Sequence, residues 1–391
     1  MPPLTPLSLG GPFWGERLSD ARLFALAAAA LAIGLVGLGF AAWRHRRHLR
    51  AVPIRIHVAG TRGKSTTTRL IAAGLRAGGL IVAAKTTGSE PRFIGPDGGE
   101  EEWPRRGPAA IAEQRRFFAK AAKLSAQAAV VECMAIRPEF VWASEAYLVR
   151  ATTALITNAR ADHFEDVGER PDAMAEALAG VVPTGGRLVV AGEAMSPKLA
   201  ARATAAGTEV MVVDVGGLDG MAADRALALA VCAAHGVPPT VAGPAMDMAA
   251  GDPGLFFDRP LVLAGKQVNF ANAFACNDVA SLAQAWAGRR DDAPAVVLLN
   301  ARRDRPLRTR HFLDFLAGQK PAPLVFVAGD PAAVRYARRR GGAGRIRPLK
   351  ARTPTGALAE VAAAAAPGAT IWGVGNYHGL GAELIREVGR A

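Results

Sequence analysis

The sequence predicts an α/β protein: a single N-terminal transmembrane helix, then a phosphate-loop domain with a mostly parallel sheet, then a smaller C-terminal α/β domain. Three observations carry this expectation. Residues 23–43 are 21 consecutive residues without a charge. Beyond them, short apolar strand-like runs alternate with helical stretches, the pattern of a parallel sheet covered by helices on both faces. Between the first such strand and the first such helix lies the glycine-containing loop Gly60-Thr61-Arg62-Gly63-Lys64-Ser65. The 391 residues leave room for two or three domains. With 50% hydrophobic and 21% charged residues the chain is not disordered, and it lacks the Gly-X-Y period of a fibrous one. Lys and Arg number 47 against 34 Asp and Glu, a net charge of +13. That excess suits nucleotides, acidic lipid, acidic polymer or nucleic acid. No aromatic-rich nucleic-acid motif accompanies it, so nucleic acid is not expected as a partner. Cys133, Cys232 and Cys276 are far apart and odd in number, which argues against a disulfide framework.

Taken in order, residues 1–22 read as an extracytoplasmic tail and 23–43 as the membrane span. A helix of that length reaches about 31 Å, against ~30 Å of hydrocarbon. Arg44, Arg46, Arg47 and Arg50 follow at once, whereas the tail balances Arg17 and Arg22 with Glu16 and Asp20. The positive-inside bias therefore puts the body in the cytoplasm, on the cytoplasmic membrane, with Trp43 at the interface. A cleaved signal peptide carries its charge before the apolar run. The other alternative is a buried helix of a soluble protein. Residues 44–53 read as a basic linker ending at Pro53.

Residues 54–59 alternate as a strand. The loop at 60–65 follows, then a helix over 66–77 closed by Gly78-Gly79. A strand is expected at 80–84, a loop over the Gly-, Pro- and charge-rich 88–108, and a helix over 109–127. Strands at 128–131 and 154–157 end at Glu132 and Asn158, and two more are expected at 187–191 and 209–213. A helix over 222–235 closes at Gly236. Residues 240–260 show no clear period and hold the domain boundary, giving a nucleotide-binding domain at 54–245 and a C-terminal domain at 246–391. The latter carries helices near 276–288, 309–317, 331–340, 354–365 and 380–389, and strands at 295–299, 324–328 and 369–372.

The loop bears the chemistry. Its glycines let backbone amides close around phosphate, and the helix N-terminus adds favourable partial charge. Lys64 can reach the β/γ-phosphates and the Ser65 hydroxyl can ligate Mg²⁺. The longer G-x-x-x-x-G-K-[ST] form needs glycine at 58, where Val58 stands, so this is the shorter G-T-x-G-K-[ST] loop. Glu132 closes a strand at the carboxyl edge, where α/β sheets place ligands. Asp162 and His163 leave the next strand at the same edge. Ser65, Glu132 and His163 are thus candidates to hold Mg²⁺ around a triphosphate. His235 and His311 read as structural.

These residues resemble the Mur ligase and folylpolyglutamate synthase superfamily, and within it the poly-γ-glutamate synthase family PgsB/CapB. The resemblance runs over GTRGKSTTTRL (60–70), KTTGSEPRFI (85–94), GPAAIAEQ (107–114), VVECMAIRPEF (130–140), ITNARADHFEDVG (156–168), NAFACND (272–278), NARRDRPLRTRHF (300–312) and GVGNYHG (373–379). It implies an ATP-dependent, ADP-forming acid–amino-acid ligase that polymerises glutamate through γ-linkages by way of an acyl phosphate, with ATP and Mg²⁺ as cofactors. It implies that Gly60, Thr61, Arg62, Gly63, Lys64, Ser65 and Thr66 bind ATP, joined from the C-terminal domain by Asn277, Asp278, Asp304 and Arg305. Lys64, Glu132 and His163 are the implied catalytic residues. Ser65 is implied to hold one Mg²⁺, and Glu132 and His163 a second, with Asn158 and Asp162 in support. Lys85, Thr86, Thr87 and Arg92 are implied to line the glutamyl site. Implied partners are glutamate and poly-γ-glutamate, the membrane, a multi-pass PgsC/CapC-like subunit, an anchored PgsA/CapA-like export subunit, and a second copy of the chain.

The chain departs from the superfamily at three places. Ala177 and Leu178 stand where many Mur ligases carry a carbamylated lysine. Asp224 stands where the superfamily has an asparagine near adenine. Phe257 stands where PgsB has an arginine, with Arg259 two positions on. Two other readings stay open from the residues: a P-loop ATPase that powers polymer assembly or export, and a ligase of this superfamily acting on another substrate.

Overall fold

Strand β1 (Ile54–Ala59) is buried along most of its length and pairs in parallel with β5 (Ala128–Glu132) on one side and β6 (Thr153–Ile156) on the other. It forms the middle of an eight-stranded sheet ordered β4-β3-β2-β5-β1-β6-β7-β8. The remaining members are β2 (Val82–Lys85), β3 (Arg92–Ile94), β4 (Glu100–Glu102), β7 (Arg187–Ala191) and β8 (Glu209–Val213). The computed structural model describes residues 20–87, 91–105, 107–160, 167, 168, 170, 172–218, 220–249, 256–263, 265–274, 276, 278–288, 295–342 and 345–390.

The first element is α1 (Asp20–Ala51), a single helix of 32 residues. Its apolar part is long enough to cross a membrane, and none of it is buried in the protein, unlike a soluble core helix. The expected linker at 44–53 is instead the last two turns of this helix. Its helical pattern was hidden by the run of arginines, but Leu49 and Val52 are buried against Phe117 and Phe118. The His45 imidazole Nε2 donates to the Leu148 carbonyl at 2.9 Å. Pro53 disfavours a helical residue before it. The Arg55 guanidinium then takes up carbonyls left open at the helix end, donating to Leu49 O at 3.3 Å and Val52 O at 2.9 Å.

One face of the large sheet is covered by α2 (Lys64–Ala77) together with later helices. The other carries α3 (Glu113–Lys123) and the end of α1. The region expected as loop at 88–108 contains β3 and β4. Gly98 N donates to Gly95 O at 3.0 Å and Gly95 N to Gly99 O at 2.9 Å, closing a tight turn between them. The three glutamates of β4 are exposed and sit at the sheet edge, where charge blunts further pairing. The helix expected over 109–127 is limited to Glu113–Lys123.

Next in the chain come α4 (Pro138–Ala143), a π-helical turn at Ser144–Val149, α5 (Ala173–Leu178), α6 (Pro197–Ala205), α7 (Gly220–Ala234) and α8 (Pro239–Asp247). The stretch without a clear period at 240–260 begins as α8, opened by proline at its first position. Ala242 and Met246 of α8 are buried in the central core.

A second sheet of six strands is ordered β13-β12-β11-β14-β10-β9. It comprises β9 (Phe257–Leu263), β10 (Lys266–Ala273), β11 (Val296–Ala301), β12 (Leu324–Gly329), β13 (Ile346–Pro348) and β14 (Thr370–Gly375). The β9–β10 pair is antiparallel and the rest parallel. The sequence reading missed β9, β10 and β13, because the half-exposed β9, the three-residue edge strand β13 and β10, whose apolar residues are interrupted by Asn269 and Asn272, lack the apolar run that marks buried parallel strands. The flanking helices are α9 (Val279–Ala287), α10 (Pro306–Ala317), α11 (Pro331–Ala337), α12 (Pro354–Ala364) and α13 (Leu380–Arg390), with a core on each face of the sheet.

A buried ion pair ties β1 to the π-helical turn. His57 is fully buried, and its Nδ1 lies 2.9 Å from Glu145 Oε2; Glu145 Oε1 accepts from Ala151 N at 2.7 Å. Burial disfavours the imidazolium, but the neighbouring Cys133 and Glu145 outweigh it and raise the pKa to about 10. A raised histidine pKa stabilises the fold fully below the unfolded value of about 6.5, and that contribution is lost as pH climbs toward 10. Glu145→Ala is therefore expected to lower unfolding free energy by about 3–5 kcal/mol near pH 6. The deficit should shrink toward pH 10. Chemical denaturation of the full chain in detergent measures it, and a loss that stays constant across that range would contradict the pairing.

Candidate active site

The carboxyl ends of β5, β1 and β6 lie side by side, and the phosphate-loop sequence bridges β1 to α2 at that edge. Two glycines are required by geometry. At Gly60 φ is 134°, and an added Cβ would fall 2.0 Å from Thr157 Oγ1. At Gly63 φ is 77°, and an added Cβ would fall 2.0 Å from Asp224 Oδ1. Any side chain at either place would displace the wall behind the loop.

That wall holds the loop's shape. Asn158 donates from Nδ2 to Arg62 O at 3.1 Å and accepts from Arg62 N at Oδ1, 3.0 Å. Thr157 Oγ1 donates to Arg62 O at 2.5 Å, and Thr61 N donates to Asn158 O at 3.1 Å. The asparagine expected to support a metal is thus a brace for the loop backbone. No side chain caps α2 at Gly63, so its first-turn amides keep the capacity to bind an anion. Lys64 Nζ folds back onto the loop, donating to Gly60 O at 2.8 Å and Thr61 O at 3.2 Å.

Behind the loop, Asp224 is buried. Burial raises its carboxyl to about 7, against the opposing pull of Thr67 and Arg160. Near neutrality the group is therefore partly protonated, which limits negative charge directly beneath a phosphate-binding loop.

Glu132 ends β5 and is buried. Its Oε2 accepts from Ser65 Oγ at 2.8 Å and from Thr87 N at 2.7 Å. Gln114 Nε2 donates to the Glu132 carbonyl at 3.3 Å, fixing the strand end. A hydroxyl and a carboxylate held together are hard oxygen donors, the set that suits Mg²⁺. His163 and Asp162 lie outside the described residues. Among the described residues no cluster of three His, Cys, Asp or Glu forms a metal site, so the donors on view are Ser65 and Glu132.

Beside Glu132 lies a charge cluster that the sequence reading saw only in part. Lys85 is fully buried, with Nζ 3.1 Å from Glu113 Oε2, and Arg105 Nε is 2.9 Å from Glu113 Oε1. Burial lowers the Lys85 pKa, partly offset by Glu113. Glu113 is itself held below its usual range, because Lys85 and Arg105 outweigh the burial that would raise it. Lys85 thus sits beneath Thr87 as a paired charge. Thr86 Oγ1 accepts from Arg92 N at 3.2 Å and Thr86 N donates to Arg92 O at 3.0 Å, joining the ends of β2 and β3. Glu113 and Gln114 fall in the stretch at 107–114 that carried the family resemblance, a signal that could have named them. Thr157 falls likewise in the stretch at 156–168, whereas Arg105 lies outside every such stretch.

The C-terminal domain reaches the loop through Asp278, whose Oδ2 is 2.8 Å from Arg62 Nε. Asp278 also caps α9, accepting from Ser281 N and Ser281 Oγ at 2.7 Å each. Burial would raise its pKa, but Arg62 and Ser281 prevail and lower it. Asn277 lies outside the described residues. Asp304 turns to its own loop, with Oδ1 2.9 Å from Arg302 Nε, and Arg305 immediately precedes α10. Arg259 stands on β9, and its Nε is buried without a hydrogen-bond partner among the described residues. Ala177 and Leu178 are both buried, Leu178 in the central core, and neither side chain has an amine to carbamylate. His235 Nε2 is 3.0 Å from Thr153 Oγ1, a structural contact.

Comparison with known proteins agrees with this arrangement. Residues 58–224 match the Mur ligase middle domain family, and residues 260–391 match the poly-gamma-glutamate synthase CapB C-terminal domain family. The chain is 29% identical over 365 residues to PGA synthase CapB of Bacillus subtilis (strain 168), covering 88% of this chain and 92% of that protein. It is 31% identical over 379 residues to capsule biosynthesis protein CapB of Bacillus anthracis, covering 87% of this chain and 77% of that one. Its fold is similar to that of Mycobacterium tuberculosis folylpolyglutamate synthase complexed with ADP, with a TM-score of 0.66 at 19% identity over 91% of this chain and 94% of that one. With a braced phosphate loop, a Ser–Glu oxygen pair and both domains matched, the chain belongs to the CapB family, ATP-dependent ligases built on the Mur ligase fold.

Proposed function

We propose that the protein polymerises glutamate through γ-linkages by way of an acyl phosphate, anchored by α1 in the cytoplasmic membrane with its body in the cytoplasm. The observation that carries the chemistry is the Ser65–Glu132 contact of 2.8 Å at the edge that also holds Lys64 and the phosphate loop. The exposed apolar length of α1, followed by Arg44, Arg46, Arg47 and Arg50, supports the anchor.

In this reading ATP lays its phosphates along the loop amides and the α2 N-terminus. Lys64 leaves the Gly60 and Thr61 carbonyls for the β/γ-phosphate oxygens, a short swing because its amine already lies across the loop. The γ-carboxylate of the growing chain attacks the γ-phosphorus, giving an acyl phosphate and ADP. The amine of an incoming glutamate then attacks the acyl carbon, inorganic phosphate leaves, and the amine proton passes to phosphate or water. When bound, Mg²⁺ would be held by Ser65 and Glu132, with His163 in the same set, and would neutralise charge on the phosphate oxygens. The protein's own share is positioning and fixed charge. Asn158 and Thr157 keep the loop rigid. Glu132 has its direction fixed by Thr87 N and, through the strand end, by Gln114. Arg62 and Asp278 bring the C-terminal domain against the loop, the side from which Asp304, Arg305 and Asn277 are proposed to complete the nucleotide site. Thr86, Thr87 and Arg92, above the Lys85–Glu113–Arg105 cluster, are the proposed edge of the glutamyl site. Proposed partners are a multi-pass subunit, an anchored export subunit and a second copy of the chain.

Membranes holding the protein and its co-expressed partners, given ATP, Mg²⁺ and labelled glutamate, should release ADP in step with γ-amide bonds identified by linkage analysis. ADP release with no amide formed would favour an ATPase that powers assembly. Lys64→Ala should cut ADP release by about 10²–10³-fold while the melting temperature holds. Ser65→Ala and Glu132→Gln should each lower turnover and move the Mg²⁺ midpoint upward, with the double variant little worse than either single one, because the two act as a unit. An unmoved midpoint in both singles would remove them from the metal set. Asp278→Asn keeps the helix cap but discharges the partner of Arg62, so it should raise KM for ATP several-fold with kcat little changed.

A further inference from the structure

On a part of the body away from the phosphate loop, an open cleft of about 600 Å³ lies between the last turns of α1, the π-helical turn, the loop at 182–186 and α6. Five arginines line it: Arg46, Arg50, Arg55, Arg150 and Arg202. Glu145 is the one acid among its lining residues. Glu145 is already committed to His57 and to Ala151 N. Arg55 is spent on backbone carbonyls. Arg46, Arg50, Arg150 and Arg202 are exposed and have no carboxylate partner among the described residues. Arg150 also holds a left-handed backbone, φ 46°, a conformation unfavourable to a residue with a Cβ. Four guanidinium groups gathered from three separate elements repel one another unless an anion joins them, and planar guanidinium forks match phosphate oxygens.

The position of the cleft chooses among anions. Arg46 and Arg50 follow Trp43 by one and two helical turns, about 4.5 and 10 Å along the axis. If α1 spans the bilayer with Trp43 at its edge, the cleft opens at headgroup depth. On the surface of α1 itself, Gly39, Ala42 and Trp43 lead toward Arg46, Arg47 and Arg50, and Arg46 and Arg50 also line the cleft. The small residues leave room for an acyl chain next to the helix, and the arginines stand at its polar end. An apolar track leading into a cationic cleft fits an amphiphile, not a soluble anion.

We propose that this cleft binds the phosphate headgroup of an anionic phospholipid whose acyl chain lies along 39–43 of α1. The proposal rests on the reading of α1 as the membrane span. A lone span can tilt and turn in the bilayer, and the body joined rigidly to it moves with it. A lipid held by Arg150 and Arg202, on the body itself, fixes its orientation on the bilayer.

The test uses the full chain. Purified in non-ionic detergent, it should retain phosphatidylglycerol over phosphatidylcholine by native mass spectrometry. The double variant Arg150→Gly with Arg202→Ala should bind phosphatidylglycerol at least about tenfold more weakly, the loss of two charge-assisted contacts, with ATP hydrolysis unchanged. Glycine suits the left-handed backbone at 150, and both positions lie outside α1, so the basic helix is intact. Equal retention of phosphatidylglycerol by wild type and variant overturns the proposal. So does displacement of the lipid by inorganic phosphate or by a short γ-glutamyl oligomer at matching concentration, which assigns the cleft to a soluble anion or to product. Flotation with phosphatidylcholine vesicles separates the two readings. Failure to float defeats the membrane span, and with it the lipid site. Flotation with no preference for phosphatidylglycerol defeats the lipid site alone.

Discussion

The brace between Asn158 and the backbone of Arg62 is the contact on which the site depends, because a phosphate loop without side chains at Gly60 and Gly63 has no shape of its own. The amide of Asn158 grips both the N–H and the carbonyl of one loop residue, while Thr157 adds a third bond to the same carbonyl. Those two residues directly follow β6, so the pairing of β6 with β1 sets the loop's form together with the loop's two glycines. The same construction brings Ser65 to Glu132, since one begins α2 after the loop and the other ends the strand on the opposite side of β1.

Charge around this centre is arranged in layers. Lys64 lies on the loop and Glu132 faces it. Below them Lys85, Glu113 and Arg105 form a paired cluster, and behind the loop the Asp224 carboxyl is shifted upward by burial. Removing charges from water is costly, and a buried ion cluster returns that cost only when its geometry is good. Its use here is positional. The end of β2 carries Lys85, and two residues on the backbone amide of Thr87 holds the Glu132 carboxylate. The thiols follow the opposite logic: burial pushes Cys232 up to about 12, and burial, with Arg62 and Asp278 pulling in opposite directions, pushes Cys276 up to about 11, so both stay protonated near neutrality.

The helix α1 is continuous with the enzyme body. Its apolar part stands clear of the protein, while Leu49 and Val52 join the core beneath α3 and Arg55 closes its carbonyl end. A rigid connection of this kind transmits the direction of the helix to the sheet, which a flexible linker at 44–53 would not.

By itself the sequence determined the elements whose chemistry is local. The glycine loop with Lys64 and Ser65, the apolar run of α1, the parallel strands leading to Glu132 and Asn158, and the three unpaired cysteines were all legible, because each is marked by residue type, length or period within one short window. Tertiary structure alone decided what depends on partners distant in the chain. Residues 44–51 became helix because Leu49 and His45 found a surface at α3 and Leu148. The glutamate-rich β4 became a strand because β3 offered an edge. Asn158 became a brace, Lys85 a buried paired charge, and Asp278 the bridge to Arg62, each through a contact made by a residue tens to hundreds of positions away. Hydrophobic periodicity records which face of an element is buried, but it does not record what that face meets. The pairing of charges, the register of antiparallel edges and the meeting of two domains are therefore properties of the packed chain.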